Sequence, residues 1–362
     1  FSHANAGPTR PVRKLDTGSW STLWRAMMRI SSGGGDLSDS SLRRAIQLGV
    51  DCIDLGCPPL DQLTEVKKRI RSFGLDVNRI SLPDMSAAFM GGEDGSGKEL
   101  DSVERTLRAF GDAGYRLTFQ RFEGSSFNHL VTFYESVHRG GYRGSGKSVW
   151  LTGPRPPERS EAEVRQARIA YWPHFGHDEP PGRAELDAWW GQFCRVFERL
   201  VPIAEEYEMR IGVHPADLPL PDAPFGTLGF HRVIDAFPSR NVGYLYCCGT
   251  RAEAGGLPLV LEEIHNYGRQ GRLFMIHFRN IRGSLMTASA YEEVLLDDGD
   301  MNMFKILLEL HRVGFDGCLS PDHIFRLEGD PDASTDQNRA YQGLAFSIGY
   351  LKGLLAALAV VG

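Results

Sequence analysis

Residues 185–215 read ELDAWWGQFCRVFERLVPIAEEYEMRIGVHP, and the fold turns on this stretch. From about Glu185 to Tyr207 apolar residues recur every three or four positions, the period of an amphipathic helix. Trp189, Trp190, Phe193 and Phe197 fall on its inner face, and the charges across Glu198–Arg210 read as its solvated side. The run Met209–Val213 follows at once, short enough for a buried strand, and ends at His214-Pro215. A helix feeding straight into a short apolar strand is half of a parallel strand–helix–strand unit.

The same unit recurs in both directions. Upstream, Leu23–Ile30 reads as a first strand, with a Gly-rich turn at Gly33–Gly35 and a helix that Asp36, Ser38 or Asp39 can cap and Gly49 can stop. Val50–Leu55, Asp76–Leu82 and Tyr115–Gln120 are the next strands, after helices 60–73 and 99–113 that stop at Gly74 and Gly114. Downstream, a helix near Gly226–Phe237 precedes strand Val242–Tyr246, and one near Leu257–Gly268 precedes strand Leu273–Phe278. Helix 301–313 ends at Gly314 before strand Phe315–Leu319, and a helix over about Arg339–Leu358 closes the chain. Eight such pairs predict an α/β fold, a (β/α)8 TIM barrel forming a single domain over residues 1–362. A doubly wound sheet is the alternative. No Gly-rich phosphate fingerprint follows the first strand, which weakens it.

Residues 121–184 break the rhythm. They are rich in Gly, Pro and aromatic residues, including Gly140–Gly141, Pro156–Pro157 and Trp172–Pro173. A long insertion after strand four emerges at the catalytic face of a barrel, so it reads as a lid, against the plainer reading of a mobile, tail-like insertion. A smaller insertion, 279–300, follows strand seven at the same face.

Composition removes some function classes. The 362 residues carry 40 basic and 46 acidic side chains, a net charge of −6, whereas a nucleic-acid binder concentrates cations on one surface. No run reaches the roughly 18 consecutive apolar residues of a membrane span. Leu351–Val361 is apolar but short, and Lys352 interrupts it. The sequence opens at Phe1 with no charged-then-apolar leader pattern. Six cysteines in so long a chain do not read as a disulfide framework, so a reducing, cytoplasmic setting is the expectation. Cys52 and Cys57 have no partner pair at zinc-knuckle spacing.

The chemistry gathers at the predicted strand ends. His214 ends strand five, Cys247 or Cys248 ends strand six, His277 ends strand seven, and Asp322 follows strand eight. Any one of these alone reads as a core histidine, a small buried hydrophobe or a loop carboxylate. Four consecutive barrel strand ends bring them to one place, which points to a shared divalent site. Two imidazoles, a thiolate and a carboxylate suit zinc or iron(II) by softness, and manganese where geometry and supply override it. Strand alternation lets only one of Cys247 and Cys248 face inward. His323 is the acid/base candidate, or a hydrogen-bonding support for a ligand. Arg279 suits a substrate carboxylate, or a surface salt bridge. Tyr341 offers a phenolic proton or packs. Asp217 and Asp222 follow His214 in a Pro-rich loop and can cap a helix or touch a polyol.

The second half resembles the mannonate dehydratase family, a branch of the xylose-isomerase-like barrels. The resemblance rests on FERLVPIAEE (197–206), MRIGVHPADLP (209–219), YCCGT (246–250), FMIHFRN (274–280), GDMNMF (299–304) and GFDGCLSPDH (314–323), in the family's order. It covers roughly residues 190–355. It implies that His214, Cys247, His277 and Asp322 bind a manganese ion, with Cys247 rather than Cys248 the ligand. It further implies a catalytic His323 and, as nearest counterpart of a downstream tyrosine, Tyr341. The pattern departs at Ser320, where the family has arginine, and at Ala216 and Asn302, where it has acids. The family's substrate-side motifs are not found in the first half.

The activity so implied is dehydration of D-mannonate, or a related aldonate, to 2-keto-3-deoxy-D-gluconate. A proton leaves carbon 2 and the 3-hydroxyl departs as water, with His323 and Tyr341 candidates for the two proton transfers. Arg279 and Asp217 are the substrate-binding candidates, and Mn2+ the expected cofactor, with Fe2+ or Zn2+ possible. A sugar isomerase or epimerase on the same barrel is the second reading, and a non-catalytic sugar-acid-binding relative the third. The expected partners are a small sugar acid and a second copy of the chain, with no nucleic acid and no membrane.

Overall fold

The computed structural model describes residues 28–33, 36–93, 97–120, 122, 131–149, 170–171, 182–215, 226, 229–288, 290–331 and 340–361. Eight parallel strands close into a barrel: β1 (Arg29–Gly33), β2 (Cys52–Leu55), β3 (Asp76–Ser81), β4 (Leu117–Phe119), β8 (Arg210–Val213), β9 (Val242–Cys247), β10 (Leu273–His277) and β13 (Cys318–Ser320). Five further strands, β5 (Val131–Val137), β6 (Arg143–Val149), β7 (Ala170–Tyr171), β11 (Asn280–Ser284) and β12 (Ala290–Val294), form a second sheet. Around the barrel the order is β1-β13-β10-β9-β8-β4-β3-β2, so the predicted TIM barrel is the fold.

Local chemistry sets the element ends. Of the three cap candidates before the first helix, Ser38 is the one used: its side chain accepts from Ser41 N, and helix Asp39–Leu48 runs to Gly49 in the left-handed region at φ 86°. Helix Arg183–Glu206 buries Leu186, Trp189, Phe193, Val196, Phe197, Leu200 and Ile203 against the barrel, while Trp190 sits on the flank with the Arg232 guanidinium 4.2 Å from its ring centre. Burial of each large side chain contributes about 1.5–3 kcal/mol, so this helix anchors the wall between β4 and β8. The helix expected near Gly226–Phe237 shortens to Arg232–Ala236, and the one expected from Leu257 starts at Cys248 with a break at Gly256, φ 66°. The earlier part of the predicted first strand, before Met28, lies outside the described residues.

The two insertions differ from a plain loop reading. Among the described residues, β5 and β6 pair antiparallel as a hairpin, β7 pairs with β5, and β12 joins β6 to β11. The segments after β4 and after β10 therefore build one five-stranded sheet in the order β11-β12-β6-β5-β7. The closing helix, Tyr341–Val361, is 21 residues long and apolar enough to cross a membrane by length and composition alone. It also packs on the barrel's helical layer through Gly343, Ser347, Ile348, Leu351 and Leu358.

Candidate metal centre

Strand register assembles the site. Cys247 at the end of β9 pairs with His277 at the end of β10, and His277 pairs with Ser320 at the end of β13, two residues before Asp322. His214 follows Val213, the last residue of β8. Because β8, β9, β10 and β13 are consecutive in the barrel, one donor atom from each of His214, Cys247, His277 and Asp322 lies within 4.8 Å of the others. The four side chains anticipated at separate strand ends do meet.

The donor set fits a divalent cation. Cys247 is fully buried, and burial alone would push its thiol up. Arg279, His214 and His277 outweigh that and hold it well below the ordinary thiol range. Cys247 is also the N-cap of helix Cys248–Arg269, its Sγ accepting from Thr250 N at 3.4 Å, and a helix N-terminus favours a thiolate. Cys248, equally buried, is pushed well up by desolvation and then by Cys247, and it is Cys247 whose sulfur lies with the other three donor atoms. His277 Nδ1 lies 3.2 Å from Asp322 Oδ2 yet is out of line for a hydrogen bond, so two lone-pair donors face one point rather than each other. Desolvation opposes charge on His277, but Asp322 and Cys247 push it up to about 9. Asp322, despite burial, is held well below the usual carboxylate range by His277 and His323. Cys247, His277 and Asp322 stabilise one another's charged forms, and a bound cation would take the place of the imidazolium proton on His277.

His323 stands beside the quartet, in the left-handed region at φ 54° with its side chain 44% exposed. Its Nε2 lies 3.4 Å from Asp322 Oδ2, and its Nδ1 is 2.7 Å from Glu293 Oε2 and 3.2 Å from Arg279 Nη1. Burial opposes the imidazolium, but Asp322 and Glu293 prevail over that and over Arg279, so its pKa is raised. A cavity of about 770 Å³ opens on this side, walled by the β5–β6 hairpin and residues 323–328, with His323 and Glu293 on its inner surface.

Arg279, expected to bind a substrate carboxylate or to form a surface salt bridge, does neither at the surface: it is 1% exposed, and its two Nη atoms donate to Glu253, to Glu293 at 2.6 Å and to Thr250 Oγ1 at 2.9 Å. Two protein carboxylates already hold the guanidinium, which ties helix Cys248–Arg269 to β12 behind the quartet. Tyr341 opens the last helix with the Arg44 guanidinium 3.6 Å from its ring centre, in the helical layer. Asp217 lies outside the described residues. Sequence reasoning missed Glu253 and Glu293. Glu293 shares a buried face of β12 with Tyr291, a period-2 signal within Ala290–Val294 that only a strand assignment for that insertion would expose.

Residues 184–361 match the family D-mannonate dehydratase (UxuA). Over its second half, this chain resembles the mannonate dehydratases. Mannonate dehydratase 2 of Halalkalibacterium halodurans is 30% identical over 141 residues, 37% of this chain and 40% of that protein. The chain thus aligns with about two fifths of the length of that relative. The mannonate dehydratase of Thermotoga neapolitana is 28% identical over 281 residues, 73% of this chain and 77% of the relative. In fold, the mannonate dehydratase from Streptococcus suis serotype 2 superposes with a TM-score of 0.71 at 20% identity, covering 92% of this chain and 96% of that one.

Proposed function

We propose that this protein is a metal-dependent sugar-acid dehydratase acting on D-mannonate or a closely related aldonate. The observation that carries the reading is the convergence of His214, Cys247, His277 and Asp322 within 4.8 Å, with His323 beside them. These four would hold a divalent ion, with Mn2+ as the first candidate and Fe2+ or Zn2+ as the others. When bound, such an ion supplies Lewis acidity to a sugar-acid carboxylate and its neighbouring hydroxyl.

The chain's own groups supply the rest. Carbon 2 of an aldonate is a weak acid, so a positioned base must take its proton, and an acid must protonate the departing 3-hydroxyl. His323 is assigned to one of these transfers: it is next to the quartet, partly exposed, and borders a cavity of about 770 Å³, a volume suited to a small ligand. The base keeps the carbon-2 proton, the 3-hydroxyl leaves as water with the proton of the acid, and the net loss from the substrate is one water. The enol that remains tautomerises to the 2-keto-3-deoxy acid. Arg279 acts from behind, holding Glu293 and Glu253 in place rather than gripping substrate.

The test is product mass. Manganese-loaded protein is incubated with D-mannonate and a panel of aldonates, with and without chelator. Loss of one water, abolished by chelation and by His323→Asn, is the expected result. An isomer of unchanged mass would favour an isomerase or epimerase, and binding without turnover a non-catalytic relative.

A further inference from the structure

The end of the barrel opposite the quartet holds a second cavity, of about 490 Å³. Its wall is made where the strands begin: Arg29 opens β1, Asp76–Asn78 open β3, Leu117 opens β4, Arg210 opens β8, and Gly317 precedes β13. Five cations line it, Arg29, Lys67, Arg71, Arg116 and Arg210. Against them stand three acids, Asp76, Glu208 and Asp316, so the lining carries two more cations than anions.

The pairing of these groups decides what the cavity can take. Asp76 is committed to Arg71, at 3.2 Å. Lys67 donates to the carbonyls of Ala113 and Gly114 at 3.1 and 2.6 Å, and Arg116 to the carbonyl of Tyr207. Among the described residues, neither Arg29 nor Arg210 makes an ion pair within 4.0 Å, although Cys318, Cys52, Asp76 and Asp51 together raise the Arg29 pKa against burial. Arg210 instead lies over the Phe274 ring at 5.1 Å. Burial and then Arg71 lower the Lys67 pKa, Asp76 opposes them, and Arg116 adds a smaller lowering. The cavity does not reach the quartet. Asn78 stands between, its Nδ2 donating to Asp54 Oδ1 at 2.7 Å and within 3.1 Å of Met275 Sδ, in the barrel interior.

We infer that this lower mouth of the barrel is a binding site for a small bisphosphate, with Arg29 and Arg210 as its anion-binding residues. β1 and β8 lie on opposite sides of the barrel, so the two guanidinium groups reach the cavity from opposite walls. One phosphate satisfies one arginine, and a ligand with two phosphates satisfies both. Guanidinium–phosphate contacts are charge-assisted and often bidentate, which favours phosphate over a simple counter-ion.

The experiment is calorimetric titration of the full chain with fructose 1,6-bisphosphate at physiological ionic strength, with inorganic phosphate as the single-phosphate comparison. Saturable binding of the bisphosphate, tighter than phosphate, is expected. Arg210→Gln should weaken it about tenfold or more, the loss of one charge-assisted contact, and Arg29→Gln likewise. Arg210 is exposed, so its variant leaves the fold intact, as a thermal melt would verify. His214→Ala, at the other end of the barrel, should leave the affinity unchanged. No saturable heat at millimolar bisphosphate, or affinity indifferent to both arginine variants, would overturn the inference. Loss in His214→Ala would also overturn it, because the ligand would then sit at the quartet.

Discussion

Arg279 and Glu293 carry the energetics behind the site. Both are nearly inaccessible: Arg279 is the first charge that compensates the burial of Glu293, and Glu293 shares the guanidinium with Glu253. Removing one partner of a buried pair leaves the other charged and unpaired, which costs about 3–5 kcal/mol. Arg279→Ala strands two carboxylates, Glu253 and Glu293, so a loss of that size is expected in urea denaturation. A loss below about 1 kcal/mol, the scale of a surface pair, would contradict the reading. Glu293 also makes a pH prediction. Burial would raise its carboxyl, but Arg279 and His323 hold it at about 2, below its ordinary 4.5. A carboxyl depressed in the folded state stabilises the fold fully above its unfolded value and loses that contribution as pH falls toward the folded one. The contribution is therefore complete above about pH 4.5 and fades between there and about pH 2. Wild type should lose stability across that window more steeply than Glu293→Gln, and parallel curves would refute it.

At the scale of elements, the junction of β9 with helix Cys248–Arg269 does the most. It sets Cys247 at the strand end, caps the helix with that same side chain, and leaves room for Arg279. The room comes from Gly249, where an added Cβ would run into the Arg279 guanidinium. Alanine is the better helix former by about 1 kcal/mol, but displacing a buried, twice-paired guanidinium costs more. Gly249→Ala is expected to lower the thermal midpoint, and a raised midpoint would show that Arg279 is not pinned there. This junction was legible in part. His214, Cys247 and His277 close apolar runs of strand length, so their placement follows from periodicity. The packing of Gly249 against Arg279 joins segments about thirty residues apart and leaves no local pattern. The β5–β6 hairpin was likewise hidden: Arg143–Val149 reads RGSGKSV, polar and Gly-rich, and is a strand because β5 and β12 flank it. Arg279 was misread for the same reason, since its partners Glu253 and Glu293 lie on other elements.

The whole molecule is a parallel barrel whose two ends differ in chemistry. Eight strands, each preceded or followed by a helix, were visible as a repeated period in the sequence, and the closed order β1-β13-β10-β9-β8-β4-β3-β2 follows from that repeat. Closure is what brings β8, β9, β10 and β13 side by side and turns four distant residues into one donor set. The second sheet, built from both insertions, was not visible, because its pairing unites residues 131–149 with 280–294. The proposed chemistry depends on the quartet acting as a metal centre. The most direct test is metal content per chain, by mass spectrometry after loading with manganese and desalting, for the wild type and for His214→Ala, Cys247→Ala, His277→Ala and Asp322→Ala. One ion per chain, lost or weakened at least about tenfold in every variant, is predicted, since even supporting residues of metal sites are worth about that much. Wild type without bound metal, or a full complement retained in the variants, would contradict it.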